Sequence, residues 1–184
     1  KSKGNVIDPL GVAETYGTDA LRMALVIGNP PGGNIPLSED KIKGYKHFTN
    51  KVWNIARFIF ENTEKTEAGE RNAQDRALAK ELEDQAVEIT KDIAEYRLYL
   101  AGEKLYHYVW DRFAARIIEE SKPIFAAGGP AAASRARTLL DMLAVILKLL
   151  HPFMPFVTEE IWLHLPEKDT EMLMVSPWPV QNTR

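Results

Sequence analysis

Residues 38–61, with the sequence SEDKIKGYKHFTNKVWNIARFIFE, decide the fold predicted for this chain. Their apolar side chains recur at the three- and four-residue spacing of one helix face. They are Ile42, Tyr45, Phe48, Val52, Ile55, Ala56, Ile59 and Phe60. Ser38 is a favourable N-cap, and Glu39 and Asp40 follow in the first turn, where the helix dipole favours carboxylates. The stretch therefore predicts a helix of more than about six turns whose apolar face lies in a core.

The opposite face of this helix is polar and cationic; it carries Lys43, Lys46, Asn50, Lys51, Asn54 and Arg57. Surface helices ordinarily mix acids with bases, which pair at i,i+4, and this face has almost no acid before Glu61. Phe58 lies beside the face, where an aromatic ring can stack on an unpaired base. From these residues alone, an RNA-binding face and an ordinary solvated surface both stay open.

The same helical spacing recurs in residues 15–27, 73–101, 105–127, 131–150 and 159–165. Thr18 and Thr158 are predicted to cap two of these helices, Gly102 to mark a bend, and Pro123 to kink or end a helix. The patterns together predict an all-α fold, a bundle of four or five long helices. A run rich in Gly and Pro at residues 28–34 divides the chain into residues 1–33 and a helical bundle at 34–184.

The composition is that of a folded globular protein and excludes several kinds of site. Of 184 residues, 45% are hydrophobic and 27% are charged. There is no cysteine, which excludes disulfides and thiolate metal sites, and the four histidines share no ligand spacing. The net charge is −3, but residues 1–57 hold 8 Lys and Arg against 5 Asp and Glu. The basic end of the chain is therefore the end that carries the polar-faced helix.

No self-sufficient active site is evident from the sequence. The adjacent acid pairs at residues 119–120 and 159–160 point to different helix faces, and no phosphate-binding glycine motif occurs. Three classes remain: an RNA-binding bundle, a protein-interaction bundle, and a piece of an enzyme whose active site lies elsewhere. The tryptophans at positions 53, 110 and 162 lie on apolar stripes and are predicted core residues. Phe153, Phe156 and Trp162 are predicted to form a buried corner, so that Phe156→Ala would cost about 3–5 kcal/mol.

Four stretches resemble class I aminoacyl-tRNA synthetases, the valyl-tRNA synthetase family above all. KSKGNVIDP at residues 1–9 is similar to the end of the K-M-S-K-S signature and the residues just after it. NKVWNIARF at 50–58 resembles the first helix of the anticodon-binding domain. WDRF at 110–113 with EESKP at 119–123 resembles a second helix, and LHPFMPFVTEEIW at 150–162 a corner of that domain. The resemblance spans essentially the whole chain.

The resemblance implies roles for five residues. Lys1 matches the second lysine of the signature, which in the family steadies the ATP phosphates during adenylate formation. Lys51, Asn54, Arg57 and Phe58 match positions on the helix that faces the anticodon. The chain departs from the family at Arg116 and Ile117, where Trp-Tyr is common.

The resemblance also implies a fragment of a valine–tRNA ligase, in which residues 1–33 are the end of the catalytic domain and residues 34–184 are the anticodon-binding bundle. Its partner would be tRNA(Val), and valine and ATP with magnesium would bind only the full-length enzyme. No metal or cofactor is expected in the fragment, which would be inactive alone, monomeric, cytoplasmic and without membrane association. The alternatives are the equivalent domain of an isoleucyl or leucyl enzyme and a protein-interaction bundle that binds no RNA.

Overall fold

The computed structural model describes residues 8–28, 32 and 37–180, and these residues form helices and no strand. The α-helices are α1 (Pro9–Tyr16), α2 (Thr18–Val26), α3 (Glu39–Thr63), α4 (Ala73–Ala94), α5 (Leu98–His107), α6 (Glu119–Ala127), α7 (Gly129–Leu150) and α8 (Pro155–Leu163). A π-helix, Tyr108–Ile118, joins α5 to α6, and a 3₁₀-helix, Leu173–Val175, follows α8. The predicted all-α fold is confirmed; the described residues contain three α-helices of 22 to 25 residues and five of 8 to 10 residues, in place of four or five long ones. None of these helices is long and apolar enough to cross a membrane.

The long helix α3 forms as the sequence predicts. The Ser38 side chain accepts a hydrogen bond from the Lys41 amide at 3.2 Å, which caps the helix. Its buried residues follow the predicted stripe; they are Ile42, Phe48, Val52, Ile55, Ala56 and Ile59. This stripe packs against α2, α7, α8 and the π-helix, so α3 lies at the centre of the core.

The single helix predicted at residues 15–27 is two helices, α1 and α2. Gly17 separates them with a φ of 94°, a left-handed backbone conformation that glycine adopts readily. Asp8 caps α1 by accepting from the Leu10 and Gly11 amides, both at 3.2 Å. Thr18 is therefore the first residue of α2 and not its cap. α2 packs directly on α3.

The long helix predicted at residues 73–101 ends seven residues early. Tyr96 has a φ of 59°, and the chain turns there instead of at Gly102. Asp92 holds the turn, because its buried carboxylate accepts from Arg97 at 2.7 Å and pairs with Lys104 at 2.7 Å. The turn is thus stabilised by buried Asp92, which binds two cationic side chains that follow it in the chain.

Gly102 lies buried inside α5, and its hydrogen side chain is required by close packing. A Cβ atom at this position would lie 2.9 Å from Ile27 Cγ1. We expect Gly102→Ala to lower the free energy of unfolding by about 1–3 kcal/mol through overpacking. Gly44→Ala in α3 is the matched control, because no atom lies within 4 Å of its added Cβ and alanine favours the helix by about 1 kcal/mol. Urea denaturation measures both, and equal effects of one sign would contradict the expectation.

A buried ion pair between α4 and α7, with a hydrogen bond to α6, connects three helices. Arg135 of α7 donates from Nε to Asp75 Oδ1 of α4 at 2.6 Å, and both side chains are 1% exposed. Arg135 also donates to the Ser121 hydroxyl of α6 at 2.8 Å, and the Ser134 hydroxyl donates to the second Asp75 oxygen. The paired charges are thus satisfied by hydrogen bonds on both sides, as buried ions require.

The corner between α7 and α8 differs from its prediction. Helix α8 begins at Pro155, four residues before the predicted start, and Thr158 lies buried within it. Asp19 of α2 provides the cap by accepting from the amides of Phe156 at 3.2 Å and Val157 at 2.7 Å. Burial raises the pKa of this carboxyl, while the two amides act in the opposite direction.

The predicted structural role is wrong for Phe156 and right for its two neighbours in the corner. Phe153 is 3% exposed and Trp162 is 1% exposed, whereas Phe156 is 64% exposed. The earlier start of α8 puts Phe156 in the first helical turn, where its ring faces outward. The chain stays helical through Pro123 as far as Ala127, so no helix ends at Lys122.

The tail after α8 lies on the bundle and forms no strand at residues 172–175. Leu173 is buried, and the Glu159 carboxylate accepts from the Leu173 amide at 2.8 Å and the Met174 amide at 3.2 Å. The Trp178 indole N–H donates to the Thr90 hydroxyl of α4 at 2.9 Å. These contacts hold the tail across two helices.

Candidate nucleic-acid interface

The exposed face of α3 consists of the polar residues that the sequence placed there. Lys43, Lys46, Asn50, Asn54 and Arg57 are exposed, and Lys51 is half-buried. Lys46 is tied to α1, because its Nζ donates to the Thr15 carbonyl at 3.0 Å. The side chains of Lys43 and Asn54 make no hydrogen bond or ion pair with other described residues. This face therefore offers free donors to a ligand.

Lys51, Asn54 and Arg57 spread across this face instead of converging on one point. Lys51 leans toward the π-helix, with its Nζ 5.6 Å from the Trp110 ring centroid. Arg57 leans the other way and lines a cavity of about 260 Å³ between α3 and α8. Asn54 lies between them, one turn from each. The three predicted contact residues therefore lie side by side on the face and not in one cluster.

The electrostatics of this face differ from those of α4. The described part of the α3 face holds one ion pair, Arg57 with Glu61 at 3.6 Å. On α4, by contrast, outward charges are matched, as in Lys80 with Asp84 at 2.9 Å. Cations that neighbouring carboxylates do not neutralise attract an anionic polymer such as RNA, and the counterions released from the RNA favour binding.

Phe58 occupies the border between this face and the core. Its ring is half-buried and meets the Phe125 ring of α6 edge-on, with centroids 6.1 Å apart. It also packs against the main core cluster. The predicted stacking role of Phe58 stays a prediction, and only the uncovered part of the ring can serve it.

An aromatic cluster beside the face was missed by the sequence reasoning. Tyr106 and Trp110 lie one helical turn apart, and both rings pack on Phe48 of α3, with centroid distances of 4.8 and 6.3 Å. Tyr45 meets Tyr106 edge-on at 5.8 Å. Burial raises the pKa of Tyr45 to about 12 and also raises that of Tyr106. The four-residue spacing of Tyr106 and Trp110 was the available signal, and it indicated only a shared helix face.

A family model described as the anticodon-binding domain of tRNA ligase matches residues 75–184. This chain belongs to that family. The anticodon-binding domain is also similar over its whole length to valine–tRNA ligases. That of Enterococcus faecalis is 40% identical over 187 residues, covering 98% of this chain and 21% of the relative. That of Bacillus anthracis is 37% identical over 186 residues, covering 97% and 21%. The chain thus spans about a fifth of the length of these relatives.

Solved structures share the fold of the anticodon-binding domain. A Mycobacterium tuberculosis methionyl-tRNA synthetase bound by methionyl-adenylate has a TM-score of 0.72 and 21% identity, covering 88% of this chain and 34% of that one. The ternary complex of Agrobacterium radiobacter LeuRS with tRNA and LeuAMS has a TM-score of 0.69 and 20% identity, covering 99% and 22%. These identities support the fold alone.

Three further predictions concern Lys1, Trp53 and metal binding. Lys1 lies outside the described residues. Trp53, predicted in the core, is 41% exposed at the rim of the cavity beside Arg57. Within the described ranges, no group of three His, Asp or Glu residues is placed to hold a metal ion.

Proposed function

We propose that this domain binds the anticodon loop of tRNA(Val) through the exposed face of α3, as part of a valine–tRNA ligase. The observation that carries the proposal is the exposed polar face of α3 in a domain of the anticodon-binding family. Among the described residues, Arg57 is the only cation of this face that pairs with a carboxylate, and Asn54 has no partner. The relatives named valine–tRNA ligases support valine as the amino acid that the enzyme attaches. An anticodon loop presents unstacked bases, whose edges an amide and a guanidinium can read.

The residues of the face have separate roles in this proposal. Lys51, whose ammonium is a compact charge on a flexible stem, contacts a phosphate of the RNA. Asn54 and Arg57 contact base edges, since an amide and a guanidinium both offer paired hydrogen-bonding groups. Phe58 adds a stacking surface at the border with α6. Binding by this domain positions the tRNA for attachment of valine elsewhere in the enzyme.

The chemistry belongs to the longer protein. Adenylate formation from valine and ATP with magnesium requires the part absent from this chain, and Lys1 would contact the ATP phosphates there. We also propose a cytoplasmic location and a monomeric state for the fragment. The fragment itself contributes RNA binding and no turnover.

Base recognition and phosphate binding separate experimentally. We expect Asn54→Ala and Arg57→Ala each to erase the preference for a valine anticodon, at a cost of about 1–3 kcal/mol. We expect Lys51→Ala to weaken the binding of all RNAs alike. It should also reduce the slope of log affinity against log salt concentration by about 0.7. The measurement is the affinity of this chain for an RNA stem-loop with a valine anticodon and for a single-base variant, at two or more salt concentrations.

A control and two outcomes make this test decisive. Lys80→Ala removes an exposed lysine from α4 and is expected to change neither the affinity nor the slope. If the unsubstituted chain binds both stem-loops equally, the anticodon assignment fails. If it binds neither, the face is a solvated surface and the domain is an interaction bundle.

A further inference from the structure

The half-buried rings of Tyr106 and Trp110 form an aromatic strip beside the exposed face of α3. Their planes are 15° apart and their centroids 5.9 Å apart, which is an offset stack. Phe48, which is 0% exposed, supports both rings from the core side. The strip is therefore held in place before any ligand arrives, and binding to it costs little ordering of side chains.

Lys51 marks the accessible side of the Trp110 ring. Its Nζ lies over the indole at 5.6 Å, within the range of a cation–π contact. An ammonium group on a flexible stem is strongly hydrated, so the ring surface beneath it is not sealed in the core. Within the described part of the chain, no carboxylate lies within ion-pair distance of Lys51. The ammonium is thus free to exchange the ring for another partner.

We propose that Trp110 is a stacking platform for one unpaired base of the bound RNA, and that Lys51 moves from the ring to the adjoining phosphate when the base arrives. The inference rests on the proposed function and adds a binding residue from outside α3. Unpaired bases splayed from an RNA loop stack on aromatic side chains, and each such stack strengthens binding by roughly 5- to 150-fold. The base thus replaces the Lys51 ammonium over the Trp110 ring, so stacking of the base and the contact of Lys51 with phosphate occur together.

Trp53 provides a matched comparison on the opposite flank of α3. It is 41% exposed, but it borders the cavity that Glu61 and Glu64 also line. Carboxylates at that rim repel phosphate, so an RNA that places a base edge against Arg57 is not expected to place its backbone over Trp53. The two tryptophans therefore offer similar rings in opposite electrostatic surroundings.

The test compares Trp110→Leu, Trp110→Phe and Trp53→Leu in binding to an RNA stem-loop with a valine anticodon, followed by fluorescence anisotropy. We expect Trp110→Leu to lose about 5-fold or more in affinity, Trp110→Phe to retain most of it, and Trp53→Leu to bind like the unsubstituted chain. A blunt RNA duplex, which has no unpaired base, is expected to bind Trp110→Leu and the unsubstituted chain alike. Equal affinity of Trp110→Leu and the unsubstituted chain for the stem-loop overturns the inference.

A second measurement follows binding in the unsubstituted chain itself. The indole N–H resonances of the unsubstituted chain, assigned through Trp→Phe variants, are followed by NMR during titration with the stem-loop. We expect the Trp110 resonance to shift and those of Trp53, Trp162 and Trp178 to stay. A Trp110 resonance that stays fixed at saturation overturns this inference while the proposed function stands. Absence of any binding overturns both.

Discussion

Replacing Arg135 by methionine is expected to lower the free energy of unfolding by about 3–5 kcal/mol. The substitution leaves the Asp75 carboxylate, which is 1% exposed, without its counter-ion at 2.6 Å. It also removes the donor to the Ser121 hydroxyl. An unpaired buried charge costs far more than the pair contributes, because the remaining ion keeps its desolvation penalty. Urea denaturation of the purified domain measures the effect.

Arg137→Met is the matched control for this prediction. Arg137 lies two residues further along α7, and its pair with Asp141 at 2.9 Å has side chains that are 42% and 38% exposed. Exposed pairs are worth about 0–1 kcal/mol, so this variant should change stability little. The double variant Asp75→Leu with Arg135→Met removes both charges and should recover part of the loss. Equal effects of Arg135→Met and Arg137→Met would show that burial of the pair is not what matters.

Phe153→Ala is expected to lower the free energy of unfolding by about 3–5 kcal/mol, and Phe156→Ala by less than about 0.5 kcal/mol. Phe153 is 3% exposed and belongs to the main core cluster, so truncation leaves a cavity. Phe156 is 64% exposed, and its part in the corner is its amide, which donates to Asp19. Because alanine retains that amide, the cap of α8 survives.

The same denaturation experiment separates the two phenylalanines. Both variants delete the same atoms within four residues of sequence, so each controls for the other. A large loss from Phe156→Ala would mean that its ring is covered in solution, as its sequence pattern predicts. A small loss from Phe153→Ala would mean that the corner collapses around the deletion.

Local features of the chain were predictable because they depend on neighbours in sequence. The apolar stripe of α3 and its Ser38 cap follow from helical spacing and from a side chain three residues away from the amide it binds. The cationic face opposite the stripe follows from the same geometry. The candidate interface was therefore located from sequence as far as it lies on one helix.

The ends of helices were predicted less well, because distant groups set them. The α8 cap comes from Asp19, 137 residues before the Phe156 amide, and it moves the helix start back to Pro155. The turn after α4 occurs at Tyr96 because Asp92 binds Arg97 and Lys104. Asp19 carries no local sequence signal for its contacts, because its partners are brought near only by folding. Asp92 has Arg97 close by in sequence, but Lys104 reaches it only after the chain has turned.

The sequence by itself determined the helical class, the central helix and the cationic face, since periodicity records which residues of one helix share a side. Only the tertiary structure decided which of those sides are covered. It buried Phe153 and exposed Phe156, and it set Trp110 beside Lys51 at the edge of the α3 face. A stripe of apolar residues specifies that something must pack on it, but the neighbour that does so, and the ring edge left uncovered, depend on contacts far apart in the chain.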